Sequence, residues 1–495
     1  MTKTLNDLAL ALDEAGLLYR VVGDLPARPI SDIQYDSRQV QENTLFLCKG
    51  AHFSVQYLLD ARSQGACAYL SARVYPEASD LPALVVSDIR RALAVTANWF
   101  FDAPWQDLHM MGVTGTKGKS TTVSMVKAIF DLAAEKAHEP LCGITSSLMN
   151  YDGRVEKASK LTTPENIDLY RHLATARAAG LKHMVIEVSS QALKYHRVGG
   201  IHFDDAVFLN ISPDHIGPIE HPTFEDYLAS KLAIFDRTDR AFINLASDHL
   251  AELQEAAGHC PEVISFGGDR ADYRADQVQS TDSGLTFRVR VGQEAIQVAL
   301  PMHGRFNVEN ALAALALAHR SGISLDTCAE ALASVKMEGH MAYIHGADLT
   351  VVVDYAHNGI SFKRVIETVR HDFPQAPVWL LFGAPGDKAE SRRPDMGRVA
   401  SQEADYVILT ADDPATEAVE AINEEIYRAF EKETPVQMIA DRAQAIAYAI
   451  KEAPTGAVVL LLGKGFEVCQ KINGKREPYA GDEQLAKAAL QARES

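Results

Sequence analysis

Short apolar runs alternate with segments of helical periodicity along nearly the whole chain, and no other feature constrains the fold as much. An unbroken apolar run of strand length is buried on both faces. Parallel neighbours of that kind need a crossover helix between them, so strands and helices must alternate. Such runs occur at residues 83–86, 108–113, 184–188, 205–209, 349–353, 378–382, 406–410 and 457–462. Between two of them, Phe362, Val365, Ile366 and Val369 keep the i, i+3, i+4, i+7 spacing of a helix that packs one face on a sheet. A helix running through Trp99 is predicted after the run at 83–86. The expected fold class is α/β.

A chain of 495 residues exceeds what one hydrophobic core usually serves. Pro104 interrupts the pattern within residues 101–106, and the pattern breaks again near 335–339 before restarting at 349. Three α/β domains are expected, at 1–106, 107–337 and 338–495.

Charge and cysteine usage exclude several classes. Lys and Arg number 48 against 66 Asp and Glu, a net −18, which argues against a nucleic-acid or anionic-membrane footprint. Any polyanionic substrate must then be held by a local cluster of cations and backbone N–H groups. Leu5, Leu8 and Leu12 lie at helical spacing among Asp7, Asp13 and Glu14, with no basic n-region, so the N-terminus does not read as a signal peptide. No apolar run is long enough to span a bilayer. The six cysteines (48, 67, 142, 260, 328 and 469) form no C-x-x-C pair, as expected in a reducing cytosol without disulfides or zinc. A cytoplasmic protein is expected.

Residues 112–122, GVTGTKGKSTT, fall between a strand and a helix. Glycines there let successive N–H groups turn toward an anion at the helix N-terminus, where the dipole favours negative charge. Gly115, Thr116, Lys117, Gly118, Lys119, Ser120 and Thr121 are the candidate phosphate ligands. Lys119 would meet the β and γ phosphates, and the Ser120 hydroxyl would ligate Mg²⁺. Val113 stands where the strict pattern has its first glycine, so a plain glycine turn is the alternative reading.

The loop does not stand alone. TGTKGKSTT, LTTPENIDLY, IEVSSQAL, NISPDHIGPIEHPTFEDYLASK, GRFNVENALAA, DYAHNG and TADDPATEA follow one another in order, and together resemble the Mur ligase family from end to end. Order and spacing are similar to the members that add the third amino acid to a UDP-N-acetylmuramoyl dipeptide. DHIGPIEHP and SRRPDMG look like the Gram-positive lysine-adding branch. The resemblance implies a UDP-sugar domain, a central P-loop ATPase domain and a Rossmann-like C-terminal domain for the incoming amino acid. It implies ATP and Mg²⁺, phosphorylation of a substrate carboxylate, and attack of an amine on the acyl phosphate; a monomer is expected.

The resemblance also implies roles for individual residues. Glu187 and His215 are the expected Mg²⁺ ligands beside Ser120, and Lys231 matches the lysine that the family carbamylates. As an N6-carboxylysine it would be an anion able to bridge metal, whereas an ordinary lysine is cationic near neutrality. A strand-end Glu capping a helix, a solvated loop His and a surface Lys are the bland readings of these three. Ser37, Thr162, Thr163, Ser189 and Arg197 are expected at the UDP-sugar substrate, with Tyr195 where many relatives carry Gln. Asn307, Asn310, Asp354 and His357 are expected at adenine and ribose. His340 replaces the usual arginine near the ATP phosphates, which raises a weakly active or regulatory paralogue as a second reading. A folylpolyglutamate synthetase, sharing only the ATPase core, is a third.

For the incoming amino acid, the branch that uses meso-diaminopimelate has Asp-Asn-Pro-Arg, where this chain has Asp412-Asp413-Pro414-Ala415. Loss of the arginine and gain of a carboxylate suit a cationic side chain, so L-lysine is expected. Gly463, Glu467 and Lys388 match the other amino-acid contacts. Ornithine, one methylene shorter, stays open, because a methylene is worth only about 1–3 kcal/mol. A plain turn after a strand is the bland reading of residues 412–415.

Overall fold

The structure is a computed structural model that describes residues 3–50, 53–159, 161–213, 216–217, 220–281, 283–335, 341–390, 392–465 and 467–494. Its contacts divide the chain into two compact units. One comprises Met1–Gln277, Phe287–Val298 and Val308–Ala333; the other comprises Val278–Thr286, Ala299–Asn307 and Ser334–Ser495.

In the first unit, the N-terminal sheet runs in the order Leu18–Val22, Ala83–Val86, Ala66–Ser71, Thr44–Leu47, Asp32–Gln34. Only the Leu18–Val22 edge is antiparallel. Alternate residues enter separate cores: Leu45, Leu47, Leu84 and Val86 pack on one face, and Phe46, Cys48, Ala83 and Val85 on the other. A sheet covered on both faces explains why Ala83–Val86 reads as a continuous apolar run. Leu5, Leu8 and Leu12 are fully buried in a helix, Leu5–Glu14, whose start is fixed by a capping box between Thr4 and Asp7.

The same unit holds a second sheet whose parallel centre runs Gly143–Thr145, His183–Glu187, His109–Thr114, Phe203–Phe208, Thr238–Asn244, Glu262–Phe266. The first of these in sequence, His109–Thr114, lies in the middle, and strand order reverses beside it. A crevice at the carboxyl ends of the strands is therefore expected there. The loop 115–118 leaves this strand end and enters the helix Lys119–Ala137.

The second unit contains a sheet in the order Ala342–His345, Thr350–Asp354, Val458–Leu462, Val378–Phe382, Tyr406–Leu409, Val436–Met438. It is parallel except for its first pair. Val352, Leu380, Phe382 and Leu460 face one core, while Val351, Val353, Leu381 and Val459 face the other. Phe362, Val365, Ile366 and Val369 are buried in the helix Gly359–Asp372, as their spacing predicts. A hairpin of Cys469–Ile472 and Lys475–Pro478 follows. Of the six cysteines, five are buried and Cys469 is half-buried; none is paired.

The apolar runs coincide with strands to within a residue or two. The edge strands Leu18–Val22 and Ala342–His345 carry no continuous apolar run, and the first exposes most of its residues. The buried strands Thr44–Leu47 and Ala66–Ser71 also lie outside the predicted runs, because Thr44, Ser71 and small Ala and Cys residues weaken their apolar pattern.

Candidate active site

The phosphate loop is built around left-handed backbone. Gly118, at φ +85°, is the N-cap of the helix Lys119–Ala137. A Cβ there would lie 2.3 Å from the Asn310 Oδ1, so glycine is needed both for conformation and for space. Asn210 fixes the loop from the neighbouring strand end: its side-chain amide accepts from the Lys117 N–H at 3.0 Å and donates to the Lys117 carbonyl at 3.0 Å. The Lys119 ammonium lies over the loop and donates to the carbonyls of Gly115 and Thr116, both at 3.1 Å.

Glu187 ends the strand beside the loop and is 2% exposed. Its carboxylate accepts from the Ser120 hydroxyl at 3.0 Å, and from the Ser147 N–H and hydroxyl at 2.8 and 3.1 Å. Hard oxygen donors of a helix N-terminus and a strand end thus converge, which fits Mg²⁺ by charge and donor type. The expected ligand His215 lies outside the described residues, as does His340. Lys231 is not a surface lysine: it is 2% exposed and donates to the Gly115 carbonyl at 2.8 Å. Tyr227, one turn earlier on the helix Phe224–Leu232, places its ring 4.8 Å from the Lys231 Nζ, and its hydroxyl meets the Thr116 Oγ1 at 3.0 Å. The two side chains together seat that helix on the loop.

The residues expected at the UDP-sugar flank the same strand end. Thr163 donates to the Glu187 carbonyl at 2.7 Å and accepts from the Ser189 N–H at 3.0 Å; Ser189 caps the helix Ser190–Lys194. Arg197 donates to the Thr163 carbonyl at 3.2 Å and pairs with Glu165 at 3.1 Å, and Glu165 also holds Lys49 of the N-terminal sheet at 2.6 Å. The buried Nε of Arg197 has no hydrogen-bond partner among the described residues. Lys49, Arg197 and Arg90 together hold the Glu165 carboxyl below its usual range despite burial. Thr162 is half-buried, and Ser37 is buried in a 3-10 turn capped by Asp36. Tyr195, in the place of the usual Gln, is covered by the Arg90 guanidinium 3.7 Å from its ring centre.

In the second unit, Asp354 accepts from the N–H groups of Met341 and Ala356, and the His357 imidazole lies 2.9 Å from the Tyr355 carbonyl. Asn307, also there, donates to the His303 carbonyl at 2.7 Å. These bonds shape the backbone at the end of the strand Thr350–Asp354 and at the start of the helix Phe306–Arg320.

Residues 412–415 and 463–465, with Glu467, follow the strands Tyr406–Leu409 and Val458–Leu462, which flank Val378–Phe382 in that sheet. One carboxylate oxygen each from Asp412, Asp413 and Glu467 lie within 4.8 Å of one another. A Cβ on Gly463, at φ +108°, would come within 2.8 Å of the Asp412 Oδ2. Lys464, which the sequence reading passed over, lies in the middle, fully buried. Its ammonium donates to Asp413 at 2.8 Å, bonds Glu467, and sits 3.9 Å from Asp412. The carboxylates are therefore not simply open to a substrate cation. Burial pushes the Asp412 carboxyl up to about 6, against the pull of Arg442 and Lys464. Asp413 stays below its usual range because Lys464 is bonded to it.

Arg442 organises the site from behind. Fully buried, it grips Asp482 through Nε at 2.8 Å and NH2 at 2.6 Å, and donates to the carbonyls of Ala411 and Leu462 at 3.2 and 3.0 Å. Those carbonyls immediately precede Asp412 and Gly463. Ala415 is buried with φ +52°, and Lys388 is exposed, near enough to Asp413 to lower its pKa.

The Mur ligase middle domain matches residues 113–318, and the Mur ligase glutamate ligase domain matches 339–465. The chain is 40% identical over 474 residues to the UDP-N-acetylmuramoyl-L-alanyl-D-glutamate--L-lysine ligase of Enterococcus faecalis, which covers 94% of this chain and 92% of that one. The chain belongs to the Mur ligase family. Another relative is the UDP-N-acetylmuramyl-tripeptide synthetase of Lactobacillus delbrueckii subsp. bulgaricus, 37% identical over 99% of each chain. Among solved structures, a UDP-N-acetylmuramoyl-L-alanyl-D-glutamate--2,6-diaminopimelate ligase superposes with a TM-score of 0.68 at 26% identity, over the whole of both chains. A folylpolyglutamate synthase from Mycobacterium tuberculosis, at TM-score 0.60 and 18% identity, covers 75% of this chain and shares the fold.

Of the residues missed in the sequence, Asn210 and Lys464 lie inside segments that carry the family resemblance, so their positions were legible although their contacts were not. Ser147 and Arg442 carry no sequence signal: one acts through its backbone N–H as well as its hydroxyl, the other through carbonyls distant in the chain.

Proposed function

We propose that this Mur ligase joins L-lysine to UDP-N-acetylmuramoyl-L-alanyl-D-glutamate at the expense of ATP, in the cytoplasm, as a step of peptidoglycan precursor synthesis. The observation that carries the reading is the convergence of the phosphate loop, Ser120 and Glu187 at one strand end, beside Thr163, Ser189 and Arg197. A transferable phosphoryl group held there would lie next to cations and hydroxyls suited to an anionic acceptor. The 40% identity to a lysine ligase supports the choice of substrate. We further propose three domains, at 1–106, 107–337 and 338–495; the separate N-terminal sheet and the matched stretches 113–318 and 339–465 support that division.

A carboxylate is a poor electrophile until one oxygen becomes a leaving group. Transfer of the γ-phosphoryl of ATP to the substrate carboxylate gives an acyl phosphate and ADP. The amine of the incoming amino acid then attacks the acyl carbon, loses a proton, and expels phosphate with the bonding electron pair. In this scheme Lys119 leaves the carbonyls of Gly115 and Thr116 for the β and γ oxygens, and the loop N–H groups hold the phosphates in line. Ser120 and Glu187 would hold Mg²⁺, which offsets the charge that builds where phosphate meets carboxylate.

Arg197 and Ser189 orient the acceptor peptide. Lys231 is proposed to act as its carbamate: its buried Nζ lies beside the Gly115 carbonyl on the phosphate loop, where the anion formed with CO₂ would add an oxygen donor for Mg²⁺. Asp412 and Glu467 receive the ammonium of lysine, with no guanidinium at Ala415 to hold a second carboxylate. The test is turnover of the purified chain with ATP, Mg²⁺, the UDP-linked dipeptide and a panel of amino acids, with mass spectrometry of the product. A lysyl tripeptide is expected. A product carrying only diaminopimelate, or none with any amino acid, overturns the reading.

A further inference from the structure

Three carboxylates crowd into a space of 4.8 Å at the proposed amino-acid site. Each is an anion near neutral pH unless its neighbours raise its pKa, and like charges that close repel strongly in a partly buried setting. The charged groups facing them come from every packed element. Arg442, from the helix Arg442–Glu452, is committed in two bonds to Asp482 and cancels it. Tyr479 donates to that same Asp482. Tyr355, from the strand end at 354, stays a neutral phenol because burial and the nearby Glu467, Asp412 and Asp413 raise its pKa. Lys388 is exposed. What remains is Asp412, Asp413 and Glu467 against Lys464: three negative charges and one positive, a net of −2.

We propose that Lys464 is a specificity-determining and positioning residue for the incoming amino acid: its ammonium is an internal counter-ion that cancels one of the three carboxylates and fixes Asp413 and Glu467. The inference rests on reading this cluster as the amino-acid site. Its particular content is that Asp413, the carboxylate that made the pocket look more acidic, is spent on Lys464 and not on substrate. The bond distances set Asp412 apart: Lys464 lies 2.5 Å from Glu467 and 2.8 Å from Asp413, but 3.9 Å from Asp412. The Lys471 N–H also binds the same Asp413 Oδ1 at 3.0 Å, which leaves that oxygen saturated by groups of the chain. Asp412, which Lys464 does not bond, is then the carboxylate with the most capacity for an external ammonium, and Glu467 stands beside it.

Opposite charge changes at the two members of the pair must move the titration of the cluster in opposite directions. Lys464→Met removes a cation beside Asp412 and raises its pKa, whereas Asp413→Asn removes an anion and lowers it. The double substitution restores the net of −2.

The experiment is the pH profile of kcat/KM for L-lysine between pH 5 and 8, on the full chain with ATP and the UDP-linked dipeptide saturating. It compares the wild type, both single variants and the double, each checked by thermal melting. The acidic limb is expected to move up by about a pH unit in Lys464→Met, or roughly tenfold in activity below the limb, and down in Asp413→Asn. The double variant is expected to return close to wild type. A limb unmoved in both single variants overturns the proposal, as does a double variant that titrates like Lys464→Met. If Lys464→Met does not fold, the downward shift of Asp413→Asn still decides: its presence supports the counter-ion role and its absence overturns it. A wild type that turns over no diamino acid overturns instead the reading of the cluster as an amino-acid site.

Discussion

Replacing Arg442 by Met should unfold the second unit far more readily than a surface change would. The guanidinium and its partner Asp482 are both fully buried, and the pair is bidentate at 2.6 and 2.8 Å. Removing one member of a buried pair leaves the other as an uncompensated charge, at a cost of about 3–5 kcal/mol. The carbonyls of Ala411 and Leu462 lose a donor as well, each worth about 1 kcal/mol, which pushes the total toward the upper end. With a urea m-value of about 2 kcal/mol/M, the midpoint should fall by roughly 1.5–2.5 M. The chain has three tryptophans, of which Trp379 alone lies in the second unit. Its ring stacks on Tyr406 with centroids 4.0 Å apart. In a Trp99→Phe, Trp105→Phe background, its fluorescence isolates that unit's transition from the rest of the chain. The double substitution Arg442→Met with Asp482→Leu removes both charges and should recover most of the loss. A shift under about 1 kcal/mol in the single variant, or a double variant no more stable than the single, would refute the reasoning.

Three further outcomes are expected. Lys119→Ala should abolish phosphate release while melting like the wild type, because it removes the ammonium held over the loop at the Gly115 and Thr116 carbonyls; near-normal turnover would remove the ATPase role. Asp412 has a folded-state pKa near 6, raised from 3.8 by burial, so its contribution to stability is present below about 4 and is lost as pH rises through 6. Asp412→Asn should therefore flatten the second unit's stability between pH 4 and 6, as followed by Trp379 fluorescence at each pH. Finally, the wild type should prefer L-lysine to meso-diaminopimelate in direct competition by on the order of 10²- to 10³-fold, since the extra carboxylate would sit unpaired beside Asp412. Preference for diaminopimelate would defeat the specificity argument and leave the ligase reading standing.

The strands at 378–382 and 457–462 were legible because their sequence is nearly pure apolar residue, whereas the equally buried Thr44–Leu47 and Ala66–Ser71, diluted by Thr, Ser and Ala, were not. The phosphate loop was legible because Gly118 must be glycine and Lys119 and Ser120 follow it in sequence. Chemistry that depends on two distant segments was not. Asp412 and Asp413 looked like an open acidic pocket until Lys464 was found between them, about fifty residues away along the chain. The bland reading of Lys231 as a surface residue of its helix does not hold: the side chain is buried against Tyr227, a depth that the sequence does not show. SRRPDMG resembled a family segment, and the structure gives Arg393 within it a structural partnership with Glu417 and Glu425.

Cys469 offers a handle for observing the site without altering it. The other five thiols are buried in the folded chain, so a maleimide reagent under native conditions would attach a fluorophore or spin label at a single position. That position opens the hairpin whose next two residues are bonded to the loop 412–415, Gln470 to the Asp412 carbonyl and Lys471 to the Asp413 carboxylate. A label there would report directly on loop movement as an amino acid binds.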